Sequence, residues 1–428
     1  MKGESKVRLS NLEMFRDVHR YRRKIMSIGL PALVSQGALV VWGLFSILII
    51  RILPAEAYAA YSVARSVQIF SIMIGGGFIM QSIVKYVSED DTVREKRITN
   101  AGIVLAMGTS LIIALLLVST GNLLQSFYSD IDLRGVPVAL AILVITSTAS
   151  TLPRNILAAR HMTREIMWSQ ISSTAVRILV VLFFILTDSL RSPLQVFGAM
   201  IGGNLASLAV SLLFVRNLVS FPLGLEKRHI RMLFNFSVVS LGAGLAANIY
   251  TRTDILLLGK MSTDTEVSGY AASRTLTALV DNINVAAKIV VLPLFSRMWK
   301  QGKRKEMVRR AMSTILIINI IQLPAFILFA GFPGRVLNTL YGGKYDAAWP
   351  VLLVLGLLTV IKPFGSIFAC MSVAAGKPSY SLYSVLVTAA INVGMNLLLI
   401  PVYGGLGAAL ATAFSLIAGA VVIVILSM

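Results

Sequence analysis

Apolar runs of about 20 residues or more recur along the whole chain, and they restrict its fold more than any other feature. A hydrocarbon core about 30 Å thick offers backbone amides no water, so a segment crossing it must satisfy them internally, as an α-helix does. The runs lie at approximately 25–50, 57–84, 98–119, 136–159, 167–187, 194–215, 232–259, 267–296, 308–330, 348–374, 380–400 and 405–427, which makes about twelve transmembrane spans. Composition agrees: of 428 residues, 56% are hydrophobic and 14% charged, against about 25% charged in soluble domains.

The 39 Lys and Arg outnumber the 19 Asp and Glu, a balance that in a soluble chain suggests nucleic acid. Here most cations fall between the apolar runs, where they set membrane orientation, so no nucleic-acid partner is expected. "VREKR" (Val93 to Arg97), "LEKRHIR" (Leu225 to Arg231) and "SRMWKQGKRKEMVRR" (Ser296 to Arg310) fall on the side of the N-terminus, whereas Arg51, Arg134, Arg191, Lys260, Arg335 and Lys344 are scattered on the other. A multi-pass protein of the cytoplasmic membrane with both termini in the cytosol follows. Residues 1–24 are too polar for a secretory signal and read as a cytosolic basic segment. The single cysteine, Cys370, excludes an internal disulfide, and His19, His161 and His229 lack metal-site spacing; neither a metal nor a catalytic residue is expected.

An internal repeat divides the chain. A shift of 209 residues places "RILPAEAYAAYSVARS" (Arg51 to Ser66) on "KMSTDTEVSGYAASRT" (Lys260 to Thr275), pairing Arg51 with Lys260, Tyr61 with Tyr270 and Arg65 with Arg274. The same shift pairs Gly198-Ala199 with Gly407-Ala408. Two pseudo-symmetric six-helix bundles are expected, at 25–216 and 232–428, joined by a cytosolic linker at 217–231.

Six cations are read inside the spans: Arg65, Arg177, Arg252, Arg274, Lys288 and Lys362. Each costs about 2.5 kcal/mol or more there unless it meets a partner or water. In the eighth span, Tyr270, Arg274, Thr277, Asp281, Asn284 and Lys288 recur at spacings of four, three, four, three and four, which is one helical face. Such a stripe is expected to line a water-filled central cavity. The second span repeats its outer part with Tyr61, Arg65 and Gln68, but Ile72, Gly75 and Ile79 replace the deeper charges. The lining is therefore predominantly cationic, and Arg65, Arg252, Arg274 and Lys288 are the expected contacts for an anionic substrate. Tyr61, Gln68, Asn248, Tyr270, Thr277 and Asn284 are expected as its polar lining, while Arg177 and Lys362 stand outside any comparable stripe.

Arg252 and Asp254 are two residues apart and about 200° around a helix, so they must face different neighbours. Asp254 and Asp281, acidic and well inside spans, are candidates for binding a coupling Na⁺ or proton. Asn392 and Asn396 share a face on the eleventh span and read as interhelical hydrogen bonds. "GLGAALATAFS" (Gly405 to Ser415) has no preceding strand and reads as close helix packing rather than a dinucleotide loop. "GGG" (Gly75 to Gly77), Pro31, Pro293 and Pro363 are points where helices can loosen.

The stretch "GLPALVSQGALVVWGLFSILIIRILPAEAYAAYSVARSVQIF", "TDILLLGK" with "VSGYAASRTLTALV", and "AAGKPSY" followed by "NVGMNLLLIPVYGGLGAALATAFS" together resemble the polysaccharide-biosynthesis flippases over nearly the whole chain. The last of these carries the family's most specific pattern, "Asn-x-x-x-Asn…Ile-Pro-x-(Tyr/Phe)-Gly-x-x-Gly-Ala-Ala". The chain departs from a simple repeat of the family pattern at Gly269, where Ala60 takes the corresponding place in the first half. The resemblance implies membership of the multidrug, oligosaccharidyl-lipid and polysaccharide exporter superfamily. It implies that a polyprenyl-linked oligosaccharide is moved across the membrane by alternating access, with membrane lipids and polysaccharide assembly enzymes as partners. About twelve spans rather than fourteen resembles the polysaccharide branch more than the lipid II flippases. A multidrug exporter would favour an acidic cavity for cationic drugs, and a membrane-embedded glycosyltransferase would need carboxylates or a metal in a sizeable outer loop, which this sequence lacks. A transporter rather than an enzyme is expected.

Overall fold

The computed structural model describes residues 29–87, 92–216 and 226–427. The basic segment expected at 1–24 and most of the 217–231 linker lie outside the described residues. The elements are α1 (Leu30–Ile52), α2 (Ala55–Ile74), a 3-10 turn (Gly77–Ile79), α3 (Met80–Val87), α4 (Thr92–Ser119), the short α5 (Gly121–Phe127), α6 (Val136–Ala159), α7 (Thr163–Leu186) and α8 (Pro193–Val215). They continue with α9 (Lys227–Met261), α10 (Asp264–Lys300), α11 (Arg304–Gly331), the short α12 (Pro333–Tyr341), α13 (Trp349–Ala374) and α14 (Pro378–Ser427).

Nine of these helices are long and apolar enough to cross a membrane, or ten with the bent pair α2 and α3 taken as one span. Helix α9 falls outside that test and carries Arg252, Asp254 and Lys260 in its second half. Helix α14 is two spans in one, broken at Gly404, whose φ of 53° and ψ of −129° no helix contains. With these the described helices are consistent with the twelve expected spans. Leu115, Phe183, Leu213, Ile320 and Leu398 are each more than half exposed, as side chains facing lipid must be.

Two expectations change. The basic stretch "SRMWKQGKRKEMVRR" is helical except near Gln301 to Lys303, because Lys, Arg, Glu and Met favour helix once the chain leaves the apolar layer. Similarly, α9 begins at Lys227, inside the expected linker. Of the three prolines, Pro31 sits at the start of α1, where it costs nothing, and Pro293 and Pro363 lie inside α10 and α13. The triple glycine does break its helix, bending α2 against α3 by 48°.

The repeat is visible in space. Ala55 and Asp264, the first residues of α2 and α10, are the expected 209 apart, and the small helices α5 and α12 fill the same place in each half. In the first half α4 packs on α6, α6 on α8, and α1 on α7; in the second, α11 packs on α13, α13 on α14, and α9 on α14. The halves meet where α9 and α10 pack on α2.

Three apolar cores hold the bundle. One joins both halves at the end of the molecule carrying Leu53 and Tyr345, with Ile49, Tyr58 and Phe197 packed together with Tyr270, Leu337 and Val351. Lys344 Nζ fastens this end by donating to the Arg51 and Leu53 carbonyls, at 2.8 and 2.7 Å, where α1 leaves its last carbonyls unpaired. At the opposite, basic end the cores separate. One contains Ile83, Ile98 and Leu157 with Leu233 of α9, and the other contains Phe295, Met307, Ile315 and Phe368. The halves thus share one core at one end, while at the other α9 still packs on the first half, with Ser237 donating to Ser82, and the core around Phe295 and Phe368 stands apart.

Candidate functional site

The gap between the halves is a cavity of about 1090 Å³. Helices α1, α2, α9, α10, α13 and α14 line it, and Ile49, Ile50 and Leu355 of the shared core form its floor. Arg65, Arg252, Arg274 and Lys288 all reach its wall, as do Tyr61, Thr277, Asn284, Asp281 and Lys362. The helical stripe on α10 therefore does face water-sized space over its middle and basic-end portions.

The lining divides into neutralised and unneutralised cations. Asp254, fully buried on α9, accepts hydrogen bonds from the Tyr270 hydroxyl and the Arg274 guanidinium, and Arg274 also donates to the Thr251 carbonyl. Lower on α10, Asp281 receives the Lys362 ammonium at 2.7 Å. The two carboxylates considered for a coupling ion are thus both held by cations, though Asp281 keeps one oxygen, Oδ1, without a partner. Arg65, Arg252 and Lys288 have no acidic partner among the described residues. Arg65 donates instead to Gln68 Oε1, and Arg252 Nε has no hydrogen-bond partner. Arg252 lies within electrostatic reach of Arg65 and Arg274, so cations from both halves converge.

The opposed facing of Arg252 and Asp254 is realised as wall and interior: Arg252 lines the cavity, and Asp254 turns into the packing between α9 and α10. Three expected lining residues do not reach the cavity. Tyr270 lies on the right face of α10, but at its level the shared core covers that face and leaves the ring fully buried. Gln68 is fully buried too, and Asn248 donates to the Gly244 carbonyl and Met73 Sδ, because α2 and α9 pack against each other below Arg65. Asn392 and Asn396 are both buried; Asn396 donates to Asn392 Oδ1 at 3.0 Å within its own span, and only Asn392 reaches the neighbouring span, donating to Ser415 Oγ at 3.5 Å. Arg177 lies off the cavity wall, stacked over the Trp42 ring, which lines it.

Sequence spacing missed the polar wall of α14, Ser381, Ser384 and Thr388, which recur at three and four residues and line the cavity. It also passed over Arg154, which lies in α6 and donates to Gln170 Oε1 at 2.8 Å. The most specific motif turns out to be structural. Its Gly404 takes a left-handed φ open to glycine, and the freed amide of Gly405 donates to Glu266 Oε2 of α10 at 2.6 Å. A carboxylate from one helix thus caps the start of the last span.

Among solved structures, the fold is similar to a lipid II flippase MurJ in an inward closed conformation, with a TM-score of 0.74 at 13% identity over 92% of this chain and 87% of that one. An inward-facing multidrug resistance MATE transporter of the MOP superfamily gives 0.74 at 13% identity, over 92% and 97%. Among curated relatives, a probable low-salt glycan biosynthesis flippase, Agl15 of Haloferax volcanii, is 23% identical over 51% of this chain and 46% of its own length. The matched regions cover between 25% and 60% of the curated relatives' length. The family described as polysaccharide biosynthesis protein matches residues 48–350. A polytopic helical bundle with a charged cavity between repeated halves, matched over most of its length, belongs to the polysaccharide biosynthesis protein family.

Proposed function

We propose that this chain is a flippase that moves a polyprenyl-phosphate- or diphosphate-linked oligosaccharide from the cytosolic to the outer leaflet of the cytoplasmic membrane. The observation that carries the reading is the set of three cavity cations, Arg65, Arg252 and Lys288, that no carboxylate neutralises among the described residues. Counting Asp254 behind the wall, five cations meet two carboxylates at the cavity, Arg274 and Lys362 being the paired ones. An anionic headgroup is the ligand such an excess favours. Sugar hydroxyls have Tyr61, Asn284 and Ser384 to meet, and the lipid tail stays in the bilayer.

In this reading the basic end is cytosolic, both termini are cytosolic, and the open cavity is the loading state. Release requires the shared core to part, breaking the Lys344 contacts and the Tyr58 to Thr275 hydroxyl bond while the basic ends close. If a Na⁺ or proton gradient drives this, Asp281 is the better ion site, since Lys362 engages only its Oδ2 and leaves Oδ1 without a partner, whereas both oxygens of Asp254 accept hydrogen bonds. Polysaccharide assembly enzymes would supply and consume the substrate; this chain itself transports.

The test is flipping of a fluorescent polyprenyl-diphosphate oligosaccharide by the full chain in proteoliposomes. Arg252→Ala and Arg65→Ala are each expected to lower the rate at least about tenfold with unchanged insertion. Wild-type rates in both variants would overturn the reading. Efflux of lipophilic cations without any flipping would favour a multidrug exporter instead. Transport indifferent to both Na⁺ and proton gradients would remove the role given to Asp281.

A further inference from the structure

We propose that the N-terminal half encloses a second oxyanion site, formed by Arg154 and Arg177 behind Arg65, which takes a phosphate-class ligand separately from Lys288 and Arg252 in the central cavity. Three helices deliver these arginines: α6 carries Arg154, α7 Arg177 and α2 Arg65. Arg177 lies within electrostatic reach of both of the others. The carboxylates of this half with described side chains, Glu56, Asp130, Asp132, Glu165 and Asp188, all sit at helix ends or in connectors. Arg177 thus shares its surroundings with two further guanidiniums and no internal counter-charge among the described residues, an arrangement that costs several kcal/mol unless something anionic joins it.

The surrounding polar groups point the same way. Arg154 donates to Gln170 Oε1, and Arg177 donates to Asn204 Oδ1 at 3.0 Å. Three further atoms nearby are buried without a hydrogen-bond partner: Arg177 Nε, Gln68 Nε2 and Thr174 Oγ1. Arg177 Nε and Gln68 Nε2 only donate, so the partner they miss is an acceptor, and the Thr174 hydroxyl can donate to it as well. Gln170, Thr174 and Arg177 fall on one face of α7 at spacings of four and three, which makes a polar stripe where the sequence reading found none. Gly203 of α8 leaves the space that this stripe uses, since a Cβ there would stand 2.5 Å from Arg177 Cγ. Guanidinium forks and surplus donors suit the several oxygens of a phosphate or diphosphate. Arg65 and Trp42 border the central cavity, so the site opens onto it.

This inference does not depend on the transport reading, because binding alone tests it. Trp42 reports directly, with Trp168, Trp299 and Trp349 replaced by Phe in the full chain purified in dodecyl maltoside, a detergent without phosphate. Inorganic phosphate and pyrophosphate are expected to change Trp42 fluorescence saturably. Arg177→Gln and Arg154→Gln should each weaken the apparent affinity at least about tenfold, while Lys288→Met shifts it less than about twofold. Thermal melts of each variant separate lost binding from lost folding, and Arg177→Lys, which keeps the charge without the fork, should fall between. A polyprenyl diphosphate that competes with pyrophosphate at Trp42 identifies the ligand as a lipid headgroup; undisturbed binding of pyrophosphate identifies a free anion. No saturable response to any of the three, or a response that Lys288→Met abolishes and both arginine variants keep, overturns the proposal.

Discussion

Arg65 and Arg274 occupy equivalent places in the two halves, 209 residues apart, each one turn beyond a tyrosine. In the second half the tyrosine and arginine both bond to Asp254, and the arginine is neutralised. At the matching position of the first half stands Phe45, which packs on Trp42, and Tyr61 stacks on Tyr58 and leans on Phe197 instead. Arg65 is left with an amide partner, Gln68, and its charge is unspent. One residue on the first helix of each half therefore decides whether the same arginine stabilises the bundle or faces the cavity as a free cation.

The strongest way to break this comparison is to remove Asp254. Asp254→Ala leaves Arg274 a buried cation without its anion, and a loss of about 3–5 kcal/mol is expected. It should appear as a large fall in melting temperature in detergent, whereas Phe45→Ala, which removes a partly buried ring and strands no charge, should cost less. Equal losses would mean that the two arginines are held alike.

Copying the second-half arrangement into the first sharpens it. Phe45→Asp supplies Arg65 with a carboxylate, and anion binding in the cavity should weaken about tenfold, roughly 1.4 kcal/mol, by isothermal titration with pyrophosphate. Unchanged affinity would show that Arg65 is not a ligand.

The last span of each half gives a smaller contrast. Helix α8 is capped locally, Ser192 and Gln195 exchanging side-chain and backbone bonds, while the matching segment of α14 takes its cap from Glu266 on another helix. Glu266→Ala should cost about 1–2 kcal/mol and loosen α10 from α14; Ser192→Ala should cost about 1 kcal/mol and stay local. Hydrogen exchange spreading into α10 only for the Glu266 variant is the pattern to look for.

The smallest effect belongs to the connectors before the fourth span. Arg134, donating to Asp132 from side chain and backbone, holds that carboxyl down to about 2, whereas Asp346, in the corresponding connector of the second half, is bonded by the neutral Asn338. A depressed carboxyl stabilises above its ordinary value and loses that contribution as pH falls from about 3.8 through about 2. Asp132 and Arg134 are both exposed, so Asp132→Asn should change stability by less than about 0.5 kcal/mol, and only above that window.

Much of the fold was legible because the bilayer imposes a length and an apolar content on every span, and a 209-residue repeat needs only similarity along one line. The stripe on α10 was legible too, since spacing fixes which residues share a helical face. Spacing does not say what covers that face: Tyr270 and Gln68 share faces with cavity residues yet are buried, and Asn248 is half-buried and bonded to Gly244 and Met73 where α2 meets α9. Nor does it say which carboxylate reaches which cation. Arg252 and Asp254 looked like neighbours in the chain, but the partner of Asp254 is Arg274, twenty residues away on the next helix. Arg177 stood outside any stripe and Arg154 was passed over because their neighbours come from other helices, and their shared lack of an anion exists only once α6, α7 and α2 are brought together. The sequence by itself determined the spans, the repeat and the surplus of cations, which follow from local transfer energies and periodicity. The tertiary structure alone decided which cations remain unpaired, because a charge inside a membrane is defined by its nearest neighbours, and those come from elsewhere in the chain.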